Sequence, residues 1–414
     1  MPHAATHSAT QNIALYPWFK FLRSLTFWQA IWFLFFQDRL SAADAIMLYA
    51  IYDIGTIVLE VPSGFMSDRL GRRLTLIASA FAGLAGAAFL TLGDGFQAFA
   101  LAQICLGAST AFASGTDSAL LYESLAATGR TDEIEAQELK AWRMTFTASA
   151  VSAVLGGALF LQNATLPFLA SLVTFACALA VTFRFRSLPR RTVTMAEGAE
   201  LLHLTPLKTA FKMPVLNWLF ALSILMYVFS HIPYVFGQPF ILEALSGTGL
   251  QGDAPLISGL VTATMMAVSL SVSLFAQTLR QRLGLGLILL LAFALQIGLS
   301  AVLALSGQAI AIAILLLRMV PDALSKPFII ARIQPLLGDE ARATYISLQS
   351  FCGRLVFSSA LFVTSFFASD TGPMPAAEIR QVLGWYALAG LVCFLGLALA
   401  ATRIAIGGKT SPAP

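Results

Sequence analysis

The sequence is short of charge. Asp, Glu, Lys and Arg together make up 11% of 414 residues, 25 basic and 21 acidic, where a water-soluble domain carries about 25%. A chain of this size cannot cover its folded surface with so few polar groups, which excludes a soluble globular protein. Cysteine is also scarce. Cys105, Cys177, Cys352 and Cys393 each sit inside an apolar run, so neither a disulfide framework nor a metal-binding spacing is present. Of the four histidines, His3 and His7 lie in the polar start and read as incidental. No glycine-rich phosphate loop ending in lysine occurs, so direct nucleotide-driven pumping is unsupported. A cleavable leader is not evident either: the apolar run after Lys20 and Arg23 is long and lacks a small-residue cleavage site. No metal, cofactor or nucleic-acid partner is expected.

What is present is apolar. Hydrophobic residues are 58% of the chain and the mean hydropathy is +0.79. Runs of the ~20-residue length that crosses hydrocarbon recur along it. The reading is an all-α integral membrane protein with twelve transmembrane helices in two six-helix bundles. The expected spans are 14–37, 43–65, 74–92, 96–123, 137–161, 166–184, 214–242, 255–279, 285–305, 308–334, 343–368 and 379–403. They divide the chain into a tail 1–13, a bundle 14–184, a basic linker 185–213, a second bundle 214–403 and a tail 404–414. Met1–Asn12 is expected to be disordered. Two such halves on a linker are the organisation of a two-repeat transporter.

Basic residues set the orientation. With the N-terminus inside, one side holds Arg69, Arg72, Arg73, Arg130, Lys140, the linker cluster, Arg280, Arg282, Arg332, Arg342, Arg403 and Lys409. The other holds Arg39 and Arg380. Both termini are therefore expected in the cytoplasm.

Several spans carry ionisable groups away from their ends. Span 1 has Arg23, span 2 has Asp53 and Glu60, span 4 has Asp117, and span 5 has Arg143 near one end. Span 7 has His231, span 10 has Arg318, Asp322 and Lys326, and span 11 has Arg354, while spans 3, 6, 9 and 12 have none. Such groups are costly in lipid and face a bundle interior or a water-filled cavity, so the four charge-free spans are expected at the periphery. Positions three or four apart share a helix face. Tyr49, Asp53, Thr56 and Glu60 form one stripe, and Tyr227, His231, Tyr234 and Gln238 form another. Ser and Thr in these stripes also fit plain interhelical hydrogen bonding; the ionisable members point to a water-accessible face.

The stretch GFMSDRLGRR, from Gly64 through Asp68, Arg69, Gly71 and Arg72 to Arg73, falls between the second and third spans. It resembles the signature loop of the major facilitator superfamily. The span number, the basic linker and the charge-free spans 3, 6, 9 and 12 resemble that family over essentially the whole chain. EVPSG from Glu60, SGTDSALLYESL from Ser114 and RATYISL from Arg342 look like an efflux-like bacterial subgroup of it. The resemblance implies a gate. Gly64 would let span 2 approach the other half, and Asp68 would accept from the free N–H groups at the start of span 11, near Arg342, where negative charge is favoured. Arg72 and Arg73 would pair with carboxylates such as Glu123. The plain alternative is that Arg69, Arg72 and Arg73 are orientation signals only. Two departures stand out: the corresponding loop of the second half, Gln277 to Gly284, lacks the aspartate, and Gly156-Gly157 in span 5 is not the Gly-Pro pair of the family's antiporter signature.

By the same resemblance, spans 1, 4, 7 and 10 would line a central cavity and present Arg23, Asp117, His231, Tyr234, Gln238, Arg318 and Asp322, with Tyr227 and Arg354 beside them. Cationic and aromatic groups there suit a small organic solute bearing an anionic group. An Arg318–Asp322 salt bridge that touches no substrate is the competing reading. Desolvation makes a carboxyl a proton carrier near neutral pH; Asp53, Glu60, Asp117 and Asp322 are the candidates, with His231 as a relay and Asp53 or Asp117 favoured. A membrane enzyme is not supported, because Ser114 and His231 lie in opposite halves without a hydrolase signature. A sensor would need an output domain that neither terminus has room for. The expectation is a monomeric, proton-coupled exporter in a bacterial inner membrane, with proton-driven uptake of an organic anion or zwitterion as the alternative.

Overall fold

The computed structural model describes residues 2–40, 42–188, 204–245, 254–305, 314, 316–338, 341–365 and 376–407. Among them every regular element is helical, as expected where hydrocarbon offers no partner for a free backbone group. The first half contains α1 (Pro2–Ser24), α2 (Trp32–Arg39), α3 (Ala42–Leu70), α4 (Arg72–Leu92), α5 (Gly95–Ala113), α6 (Thr116–Ala127), α7 (Ile134–Gln162) and α8 (Leu166–Arg184). A short α9 (Leu204–Ala210) follows in the expected linker, of which 189–203 lies outside the described residues. The second half contains α10 (Pro214–Leu245), α11 (Ala254–Leu283), α12 (Leu285–Leu305), α13 (Val320–Ile333), α14 (Arg342–Ser365) and α15 (Ala376–Ala401).

Eight helical stretches among the described residues are long and apolar enough to cross a membrane: Arg72–Leu92, Gly95–Ala127, Thr131–Gln162, Leu166–Arg184, Pro214–His231, Pro255–Leu283, Leu285–Leu305 and Arg380–Ala401. The expected spans 14–37, 43–65, 308–334 and 343–368 are not in this set; the first is interrupted, and parts of the other three, for 43–65 side chains only, lie outside the described residues.

The N-terminal residues are helical from Pro2, not disordered. Asn12 is buried and ties α1 to the end of α8. Its amide donates to Ser124 Oγ at 3.2 Å and to the Arg186 carbonyl at 3.0 Å, and its oxygen accepts from Arg186 N–H at 2.8 Å. Three expected continuous spans are broken. The first stops at Ser24 and resumes at Trp32. The freed backbone groups find hydroxyls on neighbouring helices: Phe27 N–H donates to Ser171 Oγ at 2.8 Å, Leu25 O accepts from Thr174 Oγ at 2.9 Å, and Ala30 O accepts from Ser258 Oγ at 2.8 Å. The fourth breaks at Gly115, whose φ of 68° is left-handed. The tenth is broken by a turn over 316–319 that contains Arg318, ahead of α13; 308–313 and 315 lie outside the described residues. Irregular backbone inside a membrane is tolerated where it is buried in protein or lines a cavity.

The break in the first span also relies on a close approach. A Cβ added to Gly156 would lie 1.8 Å from the Phe27 carbonyl oxygen. Gly156→Ala is expected to cost at least the ~1–3 kcal/mol of an overpacked core. It should lower the thermal midpoint of the purified protein in detergent, whereas Gly298→Ala, with nothing within 4 Å of its Cβ position, should leave it unchanged.

Exposed large apolar side chains occur on the charge-free helices but not on them alone, since Ile54 and Val58 of α3, Val151 and Leu155 of α7 and Leu274 and Phe275 of α11 are exposed as well. Phe81 and Phe89 of α4, Val173 and Phe183 of α8, Leu287 and Leu291 of α12 and Trp385 and Val392 of α15 are all exposed. Their opposite faces are not idle: Ser79 of α4 and Phe175 of α8 pack into the first half beside α1.

Candidate functional site: the seam between the halves

The end of the bundle that bears the linker is clasped by α3 and α14. Gly64 makes the approach possible, since a Cβ there would meet Thr344 Cα and Ser347 Oγ at 2.9 Å. One turn further on, Asp68 accepts from the N–H groups of Ala343 at 3.3 Å and Thr344 at 2.9 Å and from Thr344 Oγ at 2.6 Å. It caps the first turn of a helix in the other half, satisfying donors that a helix start leaves free and placing negative charge at the positive end of the dipole. Arg72 is buried between Asp68, with which it pairs, and Glu123, at 2.8 Å, and also donates to Ser67 Oγ. Arg73 donates to the Phe183 carbonyl at 3.2 Å, and Arg69 lies over the Phe65 ring at 4.8 Å. Gly71, with φ 105°, makes the turn between α3 and α4.

Further cross-half contacts occur at the same end. Arg342 of α14 stacks over Tyr122 of α6 at 4.4 Å, and Ser347 Oγ donates to the Ser114 carbonyl freed at the α5–α6 break, at 3.2 Å. The second-half loop that lacks the aspartate clasps through its arginine instead: Arg280 pairs with Glu135 of α7 at 2.9 Å. Arg143 of α7 donates to the Ser273 carbonyl at 2.9 Å.

Deeper in the seam one guanidinium serves two carboxyls. Arg354 of α14 pairs with Asp53 of α3 at 2.8 Å, and its Nε lies 3.9 Å from Glu60 Oε2. Glu60 is 0% exposed and neither of its oxygens is in hydrogen-bond geometry, although Ser114 and Ser350 flank it. Arg354 also faces the Tyr227 ring at 5.6 Å. That ring stacks on His231 at 4.1 Å, and His231 Nδ1 contacts the Tyr227 carbonyl at 2.8 Å. The side chains of Tyr234 and Gln238, and of Tyr49 in the α3 stripe, lie outside the described residues.

Other expected cavity groups are placed differently. Arg23 points into the first half, donating to Ser79 Oγ at 3.3 Å and to the Ser109 carbonyl at 2.9 Å. Asp117 pairs with Lys20 at 2.8 Å, a cation that in sequence reads only as the flank of an apolar run. Beside them Glu138, fully buried, has both oxygens 3.4 Å from the Tyr16 hydroxyl. Glu138 is missed in sequence because it stands at the edge of its span, where a carboxylate is unremarkable. In the second half Asp322 pairs with Lys326 at 2.6 Å, four residues along α13, while Arg318 stands in the turn before that helix. Lys326 in turn faces Trp142 of α7 at 5.4 Å. Among the described residues no group of three His, Cys, Asp or Glu could hold a metal ion.

Removing one partner of a buried ion pair costs about 3–5 kcal/mol. For Lys20→Met the lower end applies, because the lysine side chain keeps 22% of its exposure. The single variant should unfold at lower temperature in detergent, and Asp117→Asn added to it should restore most of the loss. Additive losses would show that the pair is not coupled.

Comparison with known proteins is informative for the family and the fold. The Major Facilitator Superfamily profile matches residues 13–361. No curated protein is significantly similar to the chain in sequence. Among solved structures, the transporter FucP in its outward conformation superimposes with a TM-score of 0.68 at 15% identity, covering 95% of this chain and 99% of that one. A bacterial homologue of the iron transporter ferroportin, in its outward-facing state, gives 0.68 at 17% identity, over 96% of this chain and 100% of that one. A variant of the E. coli fucose:proton symporter gives 0.68 at 14% identity, over 95% and 99%.

Proposed function

The chain belongs to the major facilitator superfamily, and from that premise we propose that it exports a small organic solute in exchange for protons, by alternating access of two halves. The observation that carries this reading is the shared arginine in the seam. Arg354 spans the halves to hold Asp53, and leaves the buried Glu60 beside it without a hydrogen bond. An ionised Glu60 would have to share the single positive charge of Arg354, 3.9 Å away, with Asp53, and two buried negative charges against one make the neutral acid the form that this clasped arrangement accommodates. Parting α3 from α14 hydrates Glu60 and frees its proton. Asp53 and Asp117, favoured on sequence, each already hold a cation; the coupled proton is therefore assigned to Glu60.

In this reading the Asp68 cap and the Arg280–Glu135 pair close the linker end, which is the cytoplasmic end when both termini lie inside. The carrier works as a monomer in a bacterial inner membrane. A second reading, proton-driven uptake of an organic anion or zwitterion, is favoured by the guanidinium groups of Arg23 and Arg354 in the interior. Membrane vesicles of known orientation with an imposed pH gradient separate the two. Export predicts that solute moves opposite to the proton flow, and movement in the same direction establishes uptake.

A further inference from the structure

The break in the first span opens a cavity of about 330 Å³ inside the first half. None of its lining residues comes from the second half, so it is distinct from the seam. Its wall is aromatic: Trp28, Trp32, Phe36, Phe168 and Phe175 face it. Trp28, carried by the irregular segment, stacks on Phe168 at 5.7 Å and on Phe175 at 5.8 Å, with ring planes within 17° and 12° of parallel. Arg23 also lines it. Its two hydrogen bonds go to a hydroxyl and a carbonyl, and no carboxylate of the described residues lies within ion-pair distance of it. Asp117 of the same half is held by Lys20 at 2.8 Å.

A guanidinium inside a membrane bundle without a counter-ion is costly, and its planar fork matches a carboxylate. The flat rings around it suit stacking on another flat ring, and the volume is at the small end of ligand pockets. We propose that this recess binds a small aromatic carboxylate, with its anionic group on Arg23 and its ring against the Trp28 wall. The identity of this ligand as the transported solute rests on the carrier reading above; the binding itself does not.

Calorimetry on the purified, detergent-solubilised protein tests it, with 2-naphthoate as the probe. The expected result is one site with Kd below 1 mM. Binding should be at least tenfold weaker for the neutral 2-naphthamide and for Arg23→Gln, and should be partly restored in Arg23→Lys. The control variant Arg380→Gln, exposed at the start of α15, should bind 2-naphthoate as the wild type does. Equal binding of acid and amide by the wild type overturns the proposal even if Arg23→Gln does not fold. So does an equal loss in Arg380→Gln, which makes the binding a general charge effect, or a tenfold preference for laurate, which replaces an aromatic ligand by an acyl chain. Absence of 2-naphthoate binding to folded wild-type protein overturns it as well. Binding without any flux in vesicles would sink the carrier reading and leave this site standing.

Discussion

Asp68→Asn should lower transport at least tenfold while the amount of inserted protein stays the same. The carboxylate accepts from two backbone N–H groups and a hydroxyl at the start of α14 and pairs with Arg72. An amide keeps one acceptor oxygen but loses the charge and the second oxygen. Each charge-assisted bond is worth about 1.5–3 kcal/mol, and the charge at the helix start contributes up to ~2 more. Losing roughly 3 kcal/mol from the clasped state shifts the balance between states by about a hundredfold. Spin labels at Leu70 and Pro335, both exposed at the linker end, should then report a longer-distance population absent from the wild type once the four free cysteines are replaced. Thr344→Val removes only the hydroxyl at 2.6 Å and should act in the same direction but more weakly. An unchanged distance distribution in Asp68→Asn would mean that the cap does not hold the halves together.

Glu60→Gln should abolish transport driven by a pH gradient yet preserve solute exchange across vesicles without a gradient. Glutamine imitates the neutral acid in shape and charge, so the clasped state keeps its packing around a group that is 0% exposed, but no proton can leave it. Asp53→Asn should behave differently. It deprives Arg354 of its partner at 2.8 Å, leaving a buried cation at a cost of about 3–5 kcal/mol, so both coupled transport and exchange should fall. A Glu60→Gln protein that still concentrates solute on a pH gradient would return the coupling role to another carboxyl, with Glu138 next in line as the other fully buried one with weak partners.

The clasp is legible in sequence because its chemistry is local: Gly64, Asp68, Gly71 and Arg72 keep a fixed spacing at the end of a helix, and a helix start is a predictable donor to Asp68. The membrane class follows from charge scarcity and the recurring apolar runs, and the expected division into halves rests on the basic linker 185–213. The breaks at 25–31 and 114–115 are not legible, because the backbone groups they free are satisfied by Ser171, Thr174, Ser258 and Ser347. These hydroxyls lie far away in the chain and read in sequence as generic glue. The orientation of Arg23 depends on the first of those breaks, so its placement among α1, α4 and α5 instead of on the central axis could not be read from helical periodicity. The Lys20–Asp117 pair is hidden for a similar reason. Lys20 looks like a flank only while the first helix is assumed to begin at the membrane boundary, and that helix begins at Pro2.

The most direct measurement is untargeted mass spectrometry of cytoplasm and medium from cells making the wild-type chain, Asp68→Asn or Glu60→Gln. Proton-coupled export through the clasped seam predicts a small organic solute depleted inside and enriched outside with the wild type, and redistributed by neither variant. A solute that accumulates inside with the wild type would contradict export, and one that both variants expel as well as the wild type does would contradict the roles of the cap and of Glu60.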